Sequence, residues 1–265
     1  MRVAILGRGR VGGGLSKALS RAGHDVRLLP GRRPGGDLRW ARVTVLAVPD
    51  AAIAPTAERL APRLQPGTVV LHCAGTRDAA DLQACEAAGT QVGVMHPLIS
   101  FADRRRPPPL SGATFTLTGS AAARRVATQL VRSIGAHAVT VPVHGAAYHA
   151  AAALTANGAA ALAAVSTSVL VRLSIPRRSA ERALAGLLRS VAHNIEAVGL
   201  PAALTGPVAR GEASTVSEHR AALARVDRQA LRAYDAIVPI LLVCAQDAGL
   251  SPSRARAIRR ILEGS

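Results

Sequence analysis

The sequence predicts an α/β domain with a parallel, doubly wound sheet over 1–142, followed by an all-α domain over 143–265. Three observations carry this. Short apolar runs alternate with amphipathic stretches through the first part of the chain, the rhythm of repeated strand–helix–strand units. A glycine-rich turn directly follows the first of those runs and opens a helix. Beyond Pro142 no strand pattern recurs, and helical periodicity takes over, broken by proline and glycine.

The elements follow in order. Residues 3–6 read as the first strand and 10–21 as the first helix, stopped by Gly23. Strands are expected at 25–29, at 43–48 before Pro49, at 68–73 and at 91–95, with helices at 51–63 and 77–88 between them. A strand at 114–117, a helix at 121–134 and a strand at 138–141 complete the sheet. Helices are then expected at 145–172, 178–198, 214–224, 227–248 and 252–262, separated by breaks such as Pro176, Gly199, Gly206-Pro207, Gly211 and Gly249.

Composition narrows the functional classes. Hydrophobic residues make up 49% of the chain but aromatics only 2%, so Ala, Val and Leu must fill the core. A net charge of +17 suggests nucleic acid at first sight. However, the arginines are scattered, Lys17 is the sole lysine, and two Tyr, two Phe and one Trp leave few stacking platforms for bases. No nucleic-acid partner is expected. Cys73, Cys85 and Cys244 are odd in number and widely spaced, which implies neither a disulfide framework nor a metal site. The chain opens on a strand rather than a charged leader, so the expected location is the cytoplasm.

The stretch 150–171 carries no charge and has the length of a bilayer span. It is mostly alanine, interrupted by Thr155, Asn157, Gly158, Ser166, Thr167 and Ser168, which is a thin apolar payload for insertion. A helix buried on all sides, within the protein or a dimer, is expected instead of a membrane span.

Gly7-Arg8-Gly9-Arg10-Val11-Gly12 is a G-x-G-x-x-G between a strand and a helix, the context in which this pattern marks a Rossmann dinucleotide site. Gly7 permits the tight turn, Gly9 the approach of backbone to the pyrophosphate, and Gly12 the packing of helix on strand. Backbone N–H groups at the helix start, from Arg10 and Val11 onward, would hold the phosphates. NAD-binding chains usually place an acid at the end of the second strand. Here Pro30-Gly31-Arg32-Arg33 stands instead, and two guanidinium groups suit the 2′-phosphate of NADP(H).

Further landmarks are Leu46-Ala47-Val48-Pro49-Asp50, His72-Cys73-Ala74-Gly75, Met95-His96-Pro97-Leu98-Ile99-Ser100-Phe101, Tyr148-His149, and Leu204-Thr205-Gly206-Pro207 with Arg210-Gly211. With the glycine motif, this set resembles a family of Rossmann-like NAD(P)-binding proteins with a C-terminal helical domain of unknown function. That family lies in the broad group of 6-phosphogluconate dehydrogenase, β-hydroxyacid dehydrogenases, ketopantoate reductase and pyrroline-5-carboxylate reductase. The resemblance implies that Ala47, Val48 and Pro49 lie beside the cofactor, and that the loops at 72–75 and 96–101 overhang the substrate cleft. It also implies a homodimer through the helical domain.

The chemistry implied is NADPH-dependent reduction of a C=O or C=N bond in a small keto acid or imine, ketopantoate among them. Such a step needs an acid with a pKa near neutral, and His96 and His149 are the candidates. Asn157 follows His149 by eight residues on one expected helix, roughly 80° around its axis at about 100° per residue, and could hydrogen-bond the substrate. The pattern also departs from the group. Hydroxyacid dehydrogenases and ketopantoate reductase carry a lysine one turn before the asparagine, where this chain has Ala153. The loop after the fourth strand reads His-Cys-Ala-Gly, where the family has His-x-Ser-Gly. A non-catalytic NADP(H) sensor or partner protein is the alternative that the missing lysine motivates.

Overall fold

A seven-stranded sheet is built from β1 (Arg2–Leu6), β2 (Asp25–Leu29), β3 (Val43–Leu46), β4 (Val69–His72), β5 (Gln91–Leu98), β6 (Thr114–Gly119) and β7 (His137–Thr140). Their spatial order is β2-β1-β3-β4-β5-β6-β7. The structure, a computed structural model, describes residues 1–264 except Arg33, Pro34, Gly36 and Val143. Strands β1 to β5 pair in parallel, as expected, but β6 is antiparallel to β5 and β7 follows β6 in parallel. That one inversion corrects the all-parallel expectation. A parallel neighbour requires a long crossover, usually a helix. The connection from β5 to β6 contains Pro107-Pro108-Pro109 and no helix, so the chain returns antiparallel.

Alternation along each strand sends side chains to two layers. Val3 and Ile5 of β1 face one core, with Val43, Val45, Val69 and Leu71. Helices α1 (Arg10–Arg21) and α4 (Ala121–Ser133) cover it with Leu15, Leu19, Val126 and Leu130. Ala4 and Leu6 face the other core, which α2 (Ile53–Leu60) and α3 (Gln83–Ala87) cover with Ile53, Leu60 and Cys85. Each fully buried Val, Leu or Ile contributes roughly 1.5–3 kcal/mol of transfer free energy.

The remaining helices are α5 (Ala146–Arg172), α6 (Arg177–Val198), α7 (Pro207–Arg210), α8 (Ala213–Val226), α9 (Arg228–Asp247) and α10 (Pro252–Glu263). By packing, the chain divides into Met1–Ala153 and Leu154–Ser265, so the division lies within α5 rather than at 142–143. The sequence pattern changes where the last strand ends. The first turns of α5 nevertheless belong with the sheet, because Tyr148 bonds to residues of β5 and β6.

In the second unit a small core joins Val208 of α7, Val216 of α8, Val238 and Leu242 of α9, and Ala255 and Ile258 of α10. Asp227 caps α9, accepting from the N–H groups of Gln229 and Ala230, and also accepts a bond of 3.0 Å from the Ser168 hydroxyl. Arg220 grips both carboxylate oxygens of Asp235, at 2.8 and 3.2 Å. Helix α5 is long and apolar enough to cross a membrane by length and composition, with a mean hydropathy of 1.5. Only Thr167 of it is buried. The expectation of burial on all sides is therefore not met within one chain, because neither α5 nor α6 contributes a residue to that core.

Candidate functional site

Two glycines of the first turn answer to packing inside the chain, and one does not. Gly7 has φ +119°, and a Cβ there would lie 2.1 Å from the Ala47 carbonyl oxygen. A Cβ on Gly12 would lie 1.9 Å from the carbonyl oxygen of Gly7. Both are required for α1 to close onto β1 and β3. Gly9 is the N-cap of α1 with φ −76°, open to any residue, and no described residue lies within 4 Å of where its Cβ would be. No side chain caps the helix there. The first N–H groups of α1, those of Arg10, Val11 and Gly12, have no partner within the helix itself. This is a cradle whose free donors and missing Cβ fit a pyrophosphate.

Around the cradle, Ala47 and Val48 are half-buried and Pro49 is exposed at the end of β3. Gly31 packs against Val48, where a Cβ would meet Cγ1 at 2.7 Å, so the exposed Arg32 begins one residue beyond it. Arg33 lies outside the described residues. The Arg10 guanidinium donates to the Phe101 carbonyl at 3.2 Å, and Lys17 donates to the Arg105 carbonyl at 3.4 Å. The segment after β5 is thereby tied across α1, and the Phe101 ring occupies the space beside Gly14.

A cluster of imidazoles and hydroxyls gathers beyond the end of β4, drawn from β5, β6 and the start of α5 with His144 just before it. His96 is not in an overhanging loop, as expected, but inside β5, opposite Thr116 in the antiparallel ladder. Pro97 is tolerated because β4 has already ended, its last pair being His72 with Val94. His96 is buried, and its Nδ1 lies 2.8 Å from the Tyr148 hydroxyl. That hydroxyl is 2.7 Å from Thr116 Oγ1, which is in turn 2.7 Å from His144 Nε2. His144 Nδ1 lies 3.3 Å from the Thr118 hydroxyl. Burial, reinforced by His144 and His149, pushes His96 down to about 4, so it is neutral at physiological pH. Near neutral pH the His96 ring therefore carries a single proton, on one or the other nitrogen.

His72 has a different role. Its Nδ1 accepts from the Ala74 N–H at 3.2 Å, and its Nε2 donates to the Asp78 carbonyl at 2.8 Å. Both nitrogens shape the loop 73–78, and burial lowers its pKa. The Thr76 hydroxyl in that loop donates to Asp50. Burial pushes the Cys73 thiol up to about 12, which rules out a thiolate there at neutral pH. Among the described residues no group of three or more His, Cys, Asp or Glu is arranged to hold a metal ion.

His96 and His149 do come together, with ring centroids 6.0 Å apart. They meet over Gly75, where a Cβ would sit 2.7 Å from His96 Nε2 and 2.9 Å from His149 Nδ1. Both nitrogens therefore border one small space. Asn157 lies in the second unit, exposed on α5. Sequence reasoning gave Thr116 and His144 no role and named Tyr148 only as a landmark beside His149. The Tyr148-His149 pair was a visible signal, whereas Thr116 reads as one of several strand threonines.

The sheet, the cradle and the helices that follow define a Rossmann-like protein with a C-terminal helical region. A family model described as a domain of unknown function, DUF2520, matches residues 113–239, which takes in Thr116, His144, Tyr148, His149 and Asn157. The chain is similar to protein TM1727 from Thermotoga maritima, 22% identical over 93% of this chain and 99% of that one, with a TM-score of 0.66. It is also similar to the proposed NADP oxidoreductase BF3122 from Bacteroides fragilis, 17% identical over 91% and 98%, with a TM-score of 0.67. Pyrroline carboxylate reductase from Plasmodium falciparum, solved with NADP bound, is 12% identical over 92% and 98%, with a TM-score of 0.59. No curated protein matches the chain.

Proposed function

We propose that the protein is an NADP(H)-dependent oxidoreductase that reduces a C=O or C=N bond of a small keto acid or imine. The observation that carries this reading is Gly9, a glycine that neither backbone geometry nor packing requires, facing open space at a helix N-terminus. In this reading the turn from Gly7 to Gly12 holds the pyrophosphate, Arg32 and Arg33 hold the 2′-phosphate, and Ala47, Val48 and Pro49 border the nicotinamide. When bound, the reduced cofactor supplies the hydride. His96 Nε2 and His149 Nδ1 orient the acceptor atom, and Asn157 contributes a hydrogen bond to the substrate. The NADP-related descriptions of two similar structures support the cofactor choice. The same reading puts the chain in the broad group of 6-phosphogluconate dehydrogenase, ketopantoate reductase and pyrroline-5-carboxylate reductase. It also includes a cytoplasmic homodimer formed through the helical unit.

One observation favours a second reading, an NADP(H)-binding protein without catalysis. Ala153 stands where related dehydrogenases carry a lysine, and Lys17 is on α1, bonded to the Arg105 carbonyl.

Fluorescence titration with NADPH and NADH tests the cofactor. NADPH is expected to bind at least tenfold more tightly, a difference of about 1.4 kcal/mol, with the preference lost in Arg32→Ala. Failure of both nucleotides to bind would remove both readings. Binding without turnover in a screen of keto acids and imines would favour the second.

A further inference from the structure

We propose that His144, Thr116 and Tyr148 form a proton relay that feeds Nε2 of His96. The relay rests on the reductase reading, since it serves the proton that accompanies reduction. Its basis is an unbroken file of groups that can each donate and accept: Thr118 hydroxyl, His144 Nδ1 and Nε2, Thr116 hydroxyl, Tyr148 hydroxyl and His96 Nδ1. The links measure 3.3, 2.7, 2.7 and 2.8 Å. Thr116 also approaches the His96 carbonyl, but at 3.5 Å that contact is weaker than the two 2.7 Å links.

A hydroxyl has one proton to give. With one proton in every short link, only two arrangements remain. In the first, His144 Nε2–H donates to Thr116, Thr116 to Tyr148, and Tyr148 to His96 Nδ1, which leaves His96 with a proton on Nε2. In the second every donor is reversed, and Nε2 of His96 is bare. The position of the protons in the file therefore decides whether His96 can donate into the space beside Gly75.

The step balances when His144 starts as the imidazolium, a form that its burial and the nearby His72 disfavour, so the relay should run faster as pH falls. The bound acceptor, on gaining hydride at carbon, takes the Nε2 proton of His96 onto its oxygen or nitrogen. Tyr148 passes its proton to His96 Nδ1, Thr116 passes its own to Tyr148, and His144 Nε2 gives its proton to Thr116. His144 loses one positive charge, His96 ends as the other neutral tautomer, and the hydroxyls are restored. The loss of charge matches the positive charge that appears on the oxidised cofactor. The fold supports this geometry directly. Thr116 and Thr118 share one face of β6, Thr116 is the ladder partner of His96, and α5 brings Tyr148 onto both. Once the Nε2 proton has left, the Tyr148 hydroxyl, 2.8 Å from Nδ1, is placed to return one to the ring.

The other titratable groups around His96 are His72, with both nitrogens committed to the loop, Asp50, bonded to Thr76, and the exposed His149. The test is 15N NMR of the imidazole nitrogens across a pH titration of the full chain, for wild type, Thr116→Val, Thr116→Ser and Tyr148→Phe. In the wild type, the His96 tautomer is expected to change in step with the titration of His144. Thr116→Val and Tyr148→Phe should uncouple the two, and Thr116→Ser should restore coupling. A His96 tautomer indifferent to His144 in the wild type, or coupling that survives in Thr116→Val, overturns the relay.

The kinetic arm uses NADPH with any keto acid or imine that is turned over. Thr116→Val is expected to lower kcat by about tenfold to a hundredfold and alter its pH profile, with NADPH affinity unchanged and Thr116→Ser recovering the rate. Full activity and an unaltered profile in Thr116→Val would overturn the relay and leave the reductase standing. Coupled histidines in a protein that reduces nothing would instead overturn the reductase and, with it, the relay's proposed service.

Discussion

The two units handle apolar surface in opposite ways. In Met1–Ala153 the strands β1, β3 and β4 are buried along nearly their whole length, and helices cover both faces of the sheet. Among the described residues, Leu98 and Val139 are the large hydrophobic ones exposed there. In Leu154–Ser265 the core is a knot of six buried side chains from α7 to α10. Leu187, Leu188, Val191, Ile195 and Val198 of α6 stand exposed, along with Leu154, Ile240 and Val243. An apolar cavity of about 280 Å³ opens among Leu162, Val169, Leu184, Leu223, Tyr234 and Ile237. The first unit is thus a finished fold, whereas the second leaves a face that water alone covers poorly. Small residues contribute to the contrast. A sheet can be sealed by Val and Ile from two sides, but alanine-rich helices bury little area each and need more neighbours.

The sharpest way to break this comparison is to charge the exposed face. The double substitution Leu187→Glu and Val191→Glu should leave the first unit folded and convert the proposed dimer to monomer. We expect the association midpoint, read by light scattering after gel filtration, to rise at least a thousandfold, about 4 kcal/mol. A wild type already monomeric at high concentration would show that the exposed face needs no second copy.

The next effect belongs to the first unit. His96 is held at about 4, below its usual 6.5, so the unfolded chain binds a proton in that window that the folded chain does not. Stability is therefore complete above pH 6.5 and falls as pH drops toward 4, by about 1.4 kcal/mol per pH unit from this group. His72 and His144 are lowered in the same direction by burial and add to the loss. Denaturant unfolding at stepped pH should show this slope, and His96→Gln should flatten it. An identical slope in the variant would mean that another group sets it.

The smallest effect on stability sharpens the functional side. Gly9→Ala adds a methyl to open space and should change the unfolding free energy by no more than about 0.5 kcal/mol. The same change should weaken NADPH binding at least tenfold, since the proposed function puts the pyrophosphate in that space. Unaltered affinity would remove Gly9 from the site.

Much of the site was legible in the chain itself. The three glycines could be assigned separate roles because each role has its own steric demand, and those for Gly7 and Gly12 return as close approaches to backbone oxygens. His96 and His149 could be singled out as residue types suited to proton work. That they converge over Gly75 could not be read, because the pairing depends on β5 extending past β4 to Leu98. Thr116, His144 and Tyr148 were invisible as a group for a similar reason. They lie on β6, on a loop and on α5, and only the antiparallel return of β6 brings them to one place.

The sequence by itself determined the succession of elements, the change from sheet to helices, and the position of the dinucleotide turn. These depend on local periodicity and on glycine at fixed spacing, which neighbouring residues suffice to specify. Tertiary structure alone decided the direction of β6, the depth of His96 and the placement of Tyr148 against the sheet. It also decided which apolar faces the chain covers and which it leaves open. Those outcomes depend on strand pairing and burial between residues far apart in the chain, where no local signal exists.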